Sequence, residues 1–164
     1  MDTPLPLDPH RAEYFMRQAL AEAELAFEEG EVPIGAVVVK EDRIVGRGRN
    51  QTERLGDPTA HAEIVAIGAA SEHFESWRMI GATLYSTIEP CIMCAGAMVL
   101  ARIDRLVYGA PDPKFGGCGS IFQIPNDPRL NHRVEIVAGL LAEQAAALMK
   151  EFFVRQRQRE SKRF

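Results

Sequence analysis

Cysteine is scarce in this chain: three residues among 164, an odd number. So few thiols exclude a disulfide framework and fit a reducing compartment. Long apolar runs are missing as well, and none approaches the roughly 20 residues that a membrane helix needs. The first ten residues, MDTPLPLDPH, lack the basic start and apolar stretch of a signal peptide. Together these absences predict a cytoplasmic protein without membrane contact. Positive charge is not in excess: 19 Lys and Arg stand against 23 Asp and Glu, for a net charge of −4. A general attraction to nucleic acid is therefore not expected. Internal repeats and low-complexity linkers are absent too.

What the chain has is an ordinary hydrophobic share of 46%, which with this length predicts one domain spanning 1–164. Its charge is unevenly placed. The segment KEFFVRQRQRESKRF carries Lys150, Arg155, Arg157, Arg159, Lys162 and Arg163 against Glu151 and Glu160. Phe152, Phe153 and Phe164 are interleaved with them. Such a segment can contact phosphates and stack on bases. It also fits a solvated helix end whose cations face the C-terminal dipole.

Periodicity orders the chain. Residues His10 to Glu29 read as an amphipathic helix ended near Gly30. IGAVVVK, a tight EDR turn and IVGRGRN read as a hairpin. DPTAHAEIVAIGAAS follows as a helix with Asp57 or Thr59 at its N-cap. ATLYSTI is a third strand, and PCIMCAGAMVLAR is a helix opened by Pro90 at or near its first position. RLVYGA is a fourth strand. PDPKFGGCGSIFQIPNDPRLNH is irregular, and long enough to carry function. RVEIVAG is a fifth strand, and a basic helix from about 141 closes the chain. Helices punctuating a mixed sheet predict an α/β fold, a three-layer α/β/α sandwich. The direction of the fifth strand against the fourth is open at this level.

Two short motifs carry chemistry. In PCIMC, Cys91 and Cys94 are placed on the first turn of a helix, on one face, where the dipole favours thiolates. The pair alone fits a redox site, half of a structural Cys₃His site completed by Cys118 and His61, or most of a catalytic zinc site. In HAE, His61 can supply a nitrogen ligand. Glu63, two residues on, points elsewhere and can lie beside an open fourth position as a proton carrier. In this order the motifs form the H-x-E…P-C-x-x-C signature by which zinc deaminases are recognised.

With EVPIGAVVV, DPTAHAEI, ATLYSTIEPCIMCAGAM, RIDRLVYGA and NHRVEI, the chain from about Tyr14 to Arg157 resembles zinc-dependent deaminases of the cytidine deaminase fold. It is most similar to the bacterial tRNA-specific adenosine deaminases. The resemblance implies a five-stranded mixed sheet in the order 2-1-3-4-5 with its last two strands parallel. It implies hydrolysis of the wobble adenosine of a tRNA anticodon to inosine. One Zn²⁺ per subunit would be held by His61, Cys91 and Cys94. Zinc-bound hydroxide would attack C6, and Glu63 would shuttle protons. It further implies a homodimer and a tRNA anticodon stem-loop as partner. Asn50 would hydrogen-bond the nucleoside, and Ala62 would offer a backbone group to the base edge. Asp112 and Lys114 would face the anticodon, with His132, Phe153 and Arg155 as further substrate contacts. Asn50 also fits a turn at a strand end, Asp112 and Lys114 a solvated loop, and Asn131 and His132 a turn cap. Arg49 and Cys118 depart from the family pattern.

Two other readings compete. A deaminase of a free base or nucleoside, guanine or cytosine type, would use the same metal chemistry. A zinc-stabilised RNA-binding module without catalysis would need a closed four-ligand site, with Cys118 as the available recruit.

Overall fold

Asp8 starts the first helix. Its Oδ1 accepts a hydrogen bond from the Arg11 backbone N–H at 3.0 Å, and Pro9 supplies a preset first turn. Helix α1 (Pro9–Glu28) ends where Gly30 takes φ +78°. The computed structural model describes residues 6–162 of the chain. After α1 come β1 (Gly35–Lys40), β2 (Arg43–Arg49), the short α2 (Thr52–Leu55), α3 (Ala62–Phe74), β3 (Thr83–Ile88) and α4 (Ile92–Leu100). They are followed by β4 (Arg105–Ala110), a 3₁₀ turn (Ile124–Asn126), β5 (Glu135–Ala138) and α5 (Ala142–Ser161).

The sheet order is β2-β1-β3-β4-β5. β1 runs antiparallel to β2 and β3, whereas β3, β4 and β5 are mutually parallel. The question left open for the fifth strand is thus answered as the family resemblance implied. Successive side chains in a strand point to opposite faces, and the two faces are both buried. Val37, Val39, Tyr85 and Val107 meet Ala12, Phe15, Met16 and Ala19 of α1 on one side. Ala36, Val38, Leu84 and Leu106 meet Ala66, Ala70, Ala95 and Met98 of α3 and α4 on the other. This is a three-layer sandwich. Among the described residues no helix is long and apolar enough to cross a membrane.

One contact decides where α3 begins. A Cβ added at Gly48 would lie 2.2 Å from the Ala62 carbonyl oxygen and 2.5 Å from the Ala66 nitrogen. Gly46, two residues earlier and so on the same face, stands equally close to Ala66 and Ala70. Helix backbone therefore lies directly on strand backbone, with no side-chain layer between. That seats the first turn of α3 at the sheet.

Candidate active site and metal centre

Two helix starts meet near the carboxyl end of β3. His61 is the N-cap residue of α3, with extended backbone (φ −75°, ψ 152°), and its side chain makes no capping bond. The approach is shaped upstream instead. Asp57 Oδ1 accepts from Thr59 N–H at 2.8 Å and from the Thr59 hydroxyl at 2.7 Å, and the Gln51 N–H donates to the Ala60 carbonyl at 3.0 Å. Asp57 thus builds the turn before α3 rather than capping the helix. The imidazole is left to turn towards α4.

Cys91 is likewise an N-cap residue (φ −69°, ψ 174°), and Cys94 sits one turn in and buried. The sequence placed both thiols inside the first turn with Pro90 as a helical residue. The structure moves the boundary by one: Cys91 is held extended by a bridge to Gly116, so Pro90 lies outside the helix.

The His61 Nδ1 lies 3.5 Å from Cys91 Sγ and 3.7 Å from Cys94 Sγ. These three ligand atoms all fall within 4.8 Å of one another, and no other group of three is so placed among the described residues. Tetrahedral zinc, with Zn–S of about 2.3 Å and Zn–N of about 2.0–2.1 Å, gives an N···S edge of about 3.6 Å. The spacing and the soft thiolate-imidazole donor set both fit that ion. Three protein donors correspond to a catalytic rather than a closed structural site.

Glu63 stands beside them, only 3% exposed. Its Oε2 accepts from the Cys94 thiol at 3.6 Å, and its Oε1 lies 3.3 Å from Ser86 Oγ. Burial pushes the Glu63 carboxyl above the usual range, and charge on Cys91 adds to this. Cys91 goes the other way. Hydrogen bonding from Cys94 favours its thiolate, burial opposes it, and His61 helps, bringing it to about 4. Cys94, donor in that pair and more deeply buried, is pushed up. His61 is raised by its hydrogen bond with Cys91. A bound divalent cation deprotonates coordinating thiols outright.

The MafB19-like deaminase family matches residues 10–157. A tRNA-specific adenosine deaminase of Streptococcus pyogenes serotype M18 (strain MGAS8232) is 47% identical over 155 residues, 94% of this chain and 98% of the relative. One from Aquifex aeolicus (strain VF5) is 48% identical over 145 residues, 88% of this chain and 95% of that one. The chain belongs to the tRNA-specific adenosine deaminase family. A solved structure from work on A-to-I editing by tRNA:A34 deaminases at the wobble position superposes with a TM-score of 0.79. It shares 46% identity and covers 82% of this chain and 98% of that chain. A guanine deaminase from Nitrosomonas europaea, at 22% identity, covers 93% of this chain and 95% of its own with a TM-score of 0.72, and shares the fold.

The remaining residues expected from this family's pattern have mixed surroundings. Asn50 is buried at the end of β2, its Nδ2 3.5 Å from Thr52 Oγ. Ala62 is fully buried at the start of α3. Asp112 Oδ1 accepts from the N–H groups of Lys114 at 2.9 Å and Phe115 at 3.2 Å, so this carboxylate shapes its own loop, and Lys114 is exposed. The His132 ring Nε2 bonds the Ile103 carbonyl at 2.7 Å, and Arg102 bonds Asn131 Oδ1 at 3.0 Å; both tie the approach of β5 to the end of α4. Phe153 is exposed on α5. Arg155 pairs with Glu151 and lies over the Phe27 ring at 4.8 Å. Arg163 and Phe164 lie outside the described residues.

The two departures from pattern are explained by neighbours. Arg49 is held by Glu29 at 2.8 Å and Glu22 at 3.3 Å. Cys118 is buried with its thiol 3.8 Å from the Pro90 carbonyl, apart from the metal-ligand group. Sequence reasoning passed over Ser86, Glu31 and Glu89. All three are buried polar residues. For Glu89 the available signal was a carboxylate at the end of an apolar strand with no basic residue nearby in the chain.

Proposed function

We propose that this protein hydrolyses the wobble adenosine of a tRNA anticodon to inosine and ammonia. The observation that carries the reading is the buried Glu63 carboxylate set against three donors that leave tetrahedral zinc one position short. His61, Cys91 and Cys94 would hold the ion. When bound, zinc supplies a water acidified to near neutrality. Glu63 takes one proton from the attacking water and delivers it to ring nitrogen N1, then moves the second from the hydroxyl now on C6 to the exocyclic amine as the C6–N bond breaks. Water and adenosine thus account for inosine and ammonia, with Glu63 restored.

The other groups bind. The Asn50 amide can donate to and accept from the nucleoside, the Ala62 backbone can meet the base edge, and Asp112 can accept from a ribose 2′-hydroxyl. Lys114 and Arg155 would meet phosphates, Phe153 would stack on a base, and His132 would keep the neighbouring loop in register. Anticodon bases are already unpaired, so extruding one costs less than in a duplex.

The reading includes a homodimer. Support comes from exposed apolar side chains on α4 and the loop beside it: Ile92, Leu100, Phe115 and Phe122. Three unpaired cysteines accord with a cytoplasmic setting.

The test is a substrate panel: an anticodon stem-loop with adenosine at the wobble position, the same loop with cytidine there, free guanine and free cytidine. Inosine and ammonia from the adenosine loop alone are expected. Turnover of guanine or cytidine with an inert stem-loop would transfer the chain to the free-base class.

A further inference from the structure

Glu89 follows β3 directly and precedes Pro90 and the ligand Cys91. It is 2% exposed. Its backbone N–H donates to the Ala110 carbonyl at 2.8 Å, at the end of β4 where the 111–122 loop departs. Its side chain then gathers that loop. Oε1 accepts from the Cys118 N–H at 3.1 Å and the Ser120 N–H at 2.9 Å. Oε2 accepts from the Asp112 N–H at 2.9 Å and from the Ser120 hydroxyl. A carboxylate offers about four acceptor sites, and one loop fills all four.

The fit is also steric. A Cβ at Gly116 would lie 2.5 Å from Glu89 Cδ and from the Asp112 carbonyl oxygen. The loop backbone therefore passes directly over the carboxylate. It is sewn to the metal side as well, through the Gly117 N–H to the Pro90 carbonyl at 2.9 Å and the bridge between Cys91 and Gly116. What the loop presents outward is Lys114, Phe115, Ile121 and Phe122, all exposed.

We infer that Glu89 is a positioning residue for substrate: its buried carboxylate fixes the 112–120 loop at the mouth of the site. It touches neither the metal donors' sulfur and nitrogen atoms nor, in this reading, the base. The inference rests on the proposed function for what the loop meets. The four donors explain why an acid is needed. Glutamine has the same size, but its NH₂ would face either the Asp112 N–H or the N–H groups of Cys118 and Ser120, and would leave what it faces unbonded.

The experiment uses the full-length zinc-loaded protein as wild type, Glu89→Gln and Gly116→Ala. Zinc content, kcat and KM on the adenosine stem-loop, and hydrogen exchange of the loop amides are measured for each. Both variants are expected to keep one zinc per chain. KM should rise about tenfold with kcat within about threefold of wild type. The amides of Asp112, Cys118 and Ser120 should exchange faster. Unchanged KM and exchange in both variants would overturn the inference. So would loss of zinc in step with kcat, which would make Glu89 a support of the ligands instead. Should Glu89→Gln fail to fold, Ser120→Ala removes one of the four bonds, that of the hydroxyl, and must show the same KM and exchange pattern in milder form. If wild type ignores the stem-loop, the proposed function fails, while the exchange data still decide whether Glu89 holds the loop.

Discussion

His61 Nδ1 and Cys91 Sγ lie 3.5 Å apart although 30 residues separate them in the chain. Each caps a different helix, and each leaves its cap position without a side-chain bond to its own helix. The two ends that ordinarily recruit Ser or Asp have instead given their caps to a shared ligand set. Purified protein should carry one zinc per chain. His61→Ala should lose it, with inosine formation falling by more than the about 10–100-fold typical of outer-shell changes. Cys118→Ser should keep it. Metal analysis of the three proteins checks both statements; zinc lost from Cys118→Ser would restore the closed-site reading.

Glu63→Gln separates proton transfer from metal binding. The carboxamide preserves volume and a hydrogen-bond contact to the Ser86 side, but it cannot carry a proton. Zinc content should match wild type, while kcat falls about 10²–10⁴-fold. Single-turnover measurement of inosine, with metal quantified on the same sample, is the check.

Gly48→Ala tests the seat of α3. The new methyl would meet the Ala62 carbonyl oxygen at 2.2 Å, and neither backbone can yield without moving the helix. Overpacking of this kind costs about 1–3 kcal/mol. A lower urea midpoint is expected, together with weaker zinc retention, because His61 precedes the displaced turn. Unaltered stability would mean that α3 slides freely on β2.

Asp127 offers a pH test away from the metal. Hydrogen bonds from the Arg129 side chain, first, and from its backbone N–H hold the Asp127 carboxyl at about 2, against an ordinary 3.8. The folded value is depressed, so its stabilising effect is complete above the unfolded value. It is lost as pH falls from about 4 towards 2. A carbon-detected titration of Asp127 should give a midpoint near 2 that moves up in Arg129→Gln. Arg129 is exposed and Asp127 only half-buried, so thermal stability at neutral pH should barely change.

Much of this molecule was legible before any coordinates. α1 and α5 announce themselves by period and length, and the IGAVVVK–EDR–IVGRGRN hairpin by a β-branched run before a tight turn. Glu41 and Asp42 in that turn do take positive φ, 49° and 58°. The zinc donors were readable because metal chemistry restricts residue type and spacing so strongly. The parts that escaped share a cause. Helix α2 is four residues long and stands on Glu31, whose carboxylate accepts from the N–H groups of Glu53 at 3.2 Å and Arg54 at 2.6 Å, more than 20 residues along the chain. Cys91 left the helix because of a bridge to Gly116. Glu89 binds a loop that starts more than 20 residues later. Long-range hydrogen bonds by buried acids leave no local pattern. Gly46 and Gly48 were visible as a pair on one strand face, but only the neighbouring helix reveals why a side chain has no room there.

The bare contact between β2 and α3 also bears on how such a protein could acquire new substrates. Two of the strand's seven positions, Gly46 and Gly48, are closed to any larger residue, and the helix above them carries a metal donor at its head. Change can enter cheaply where the scaffold ends, in the stretches 51–60 and 111–133, and on the exposed side of α5 around Phe153. A selection for altered RNA preference should therefore accumulate its substitutions in those places and leave the slab beneath them silent.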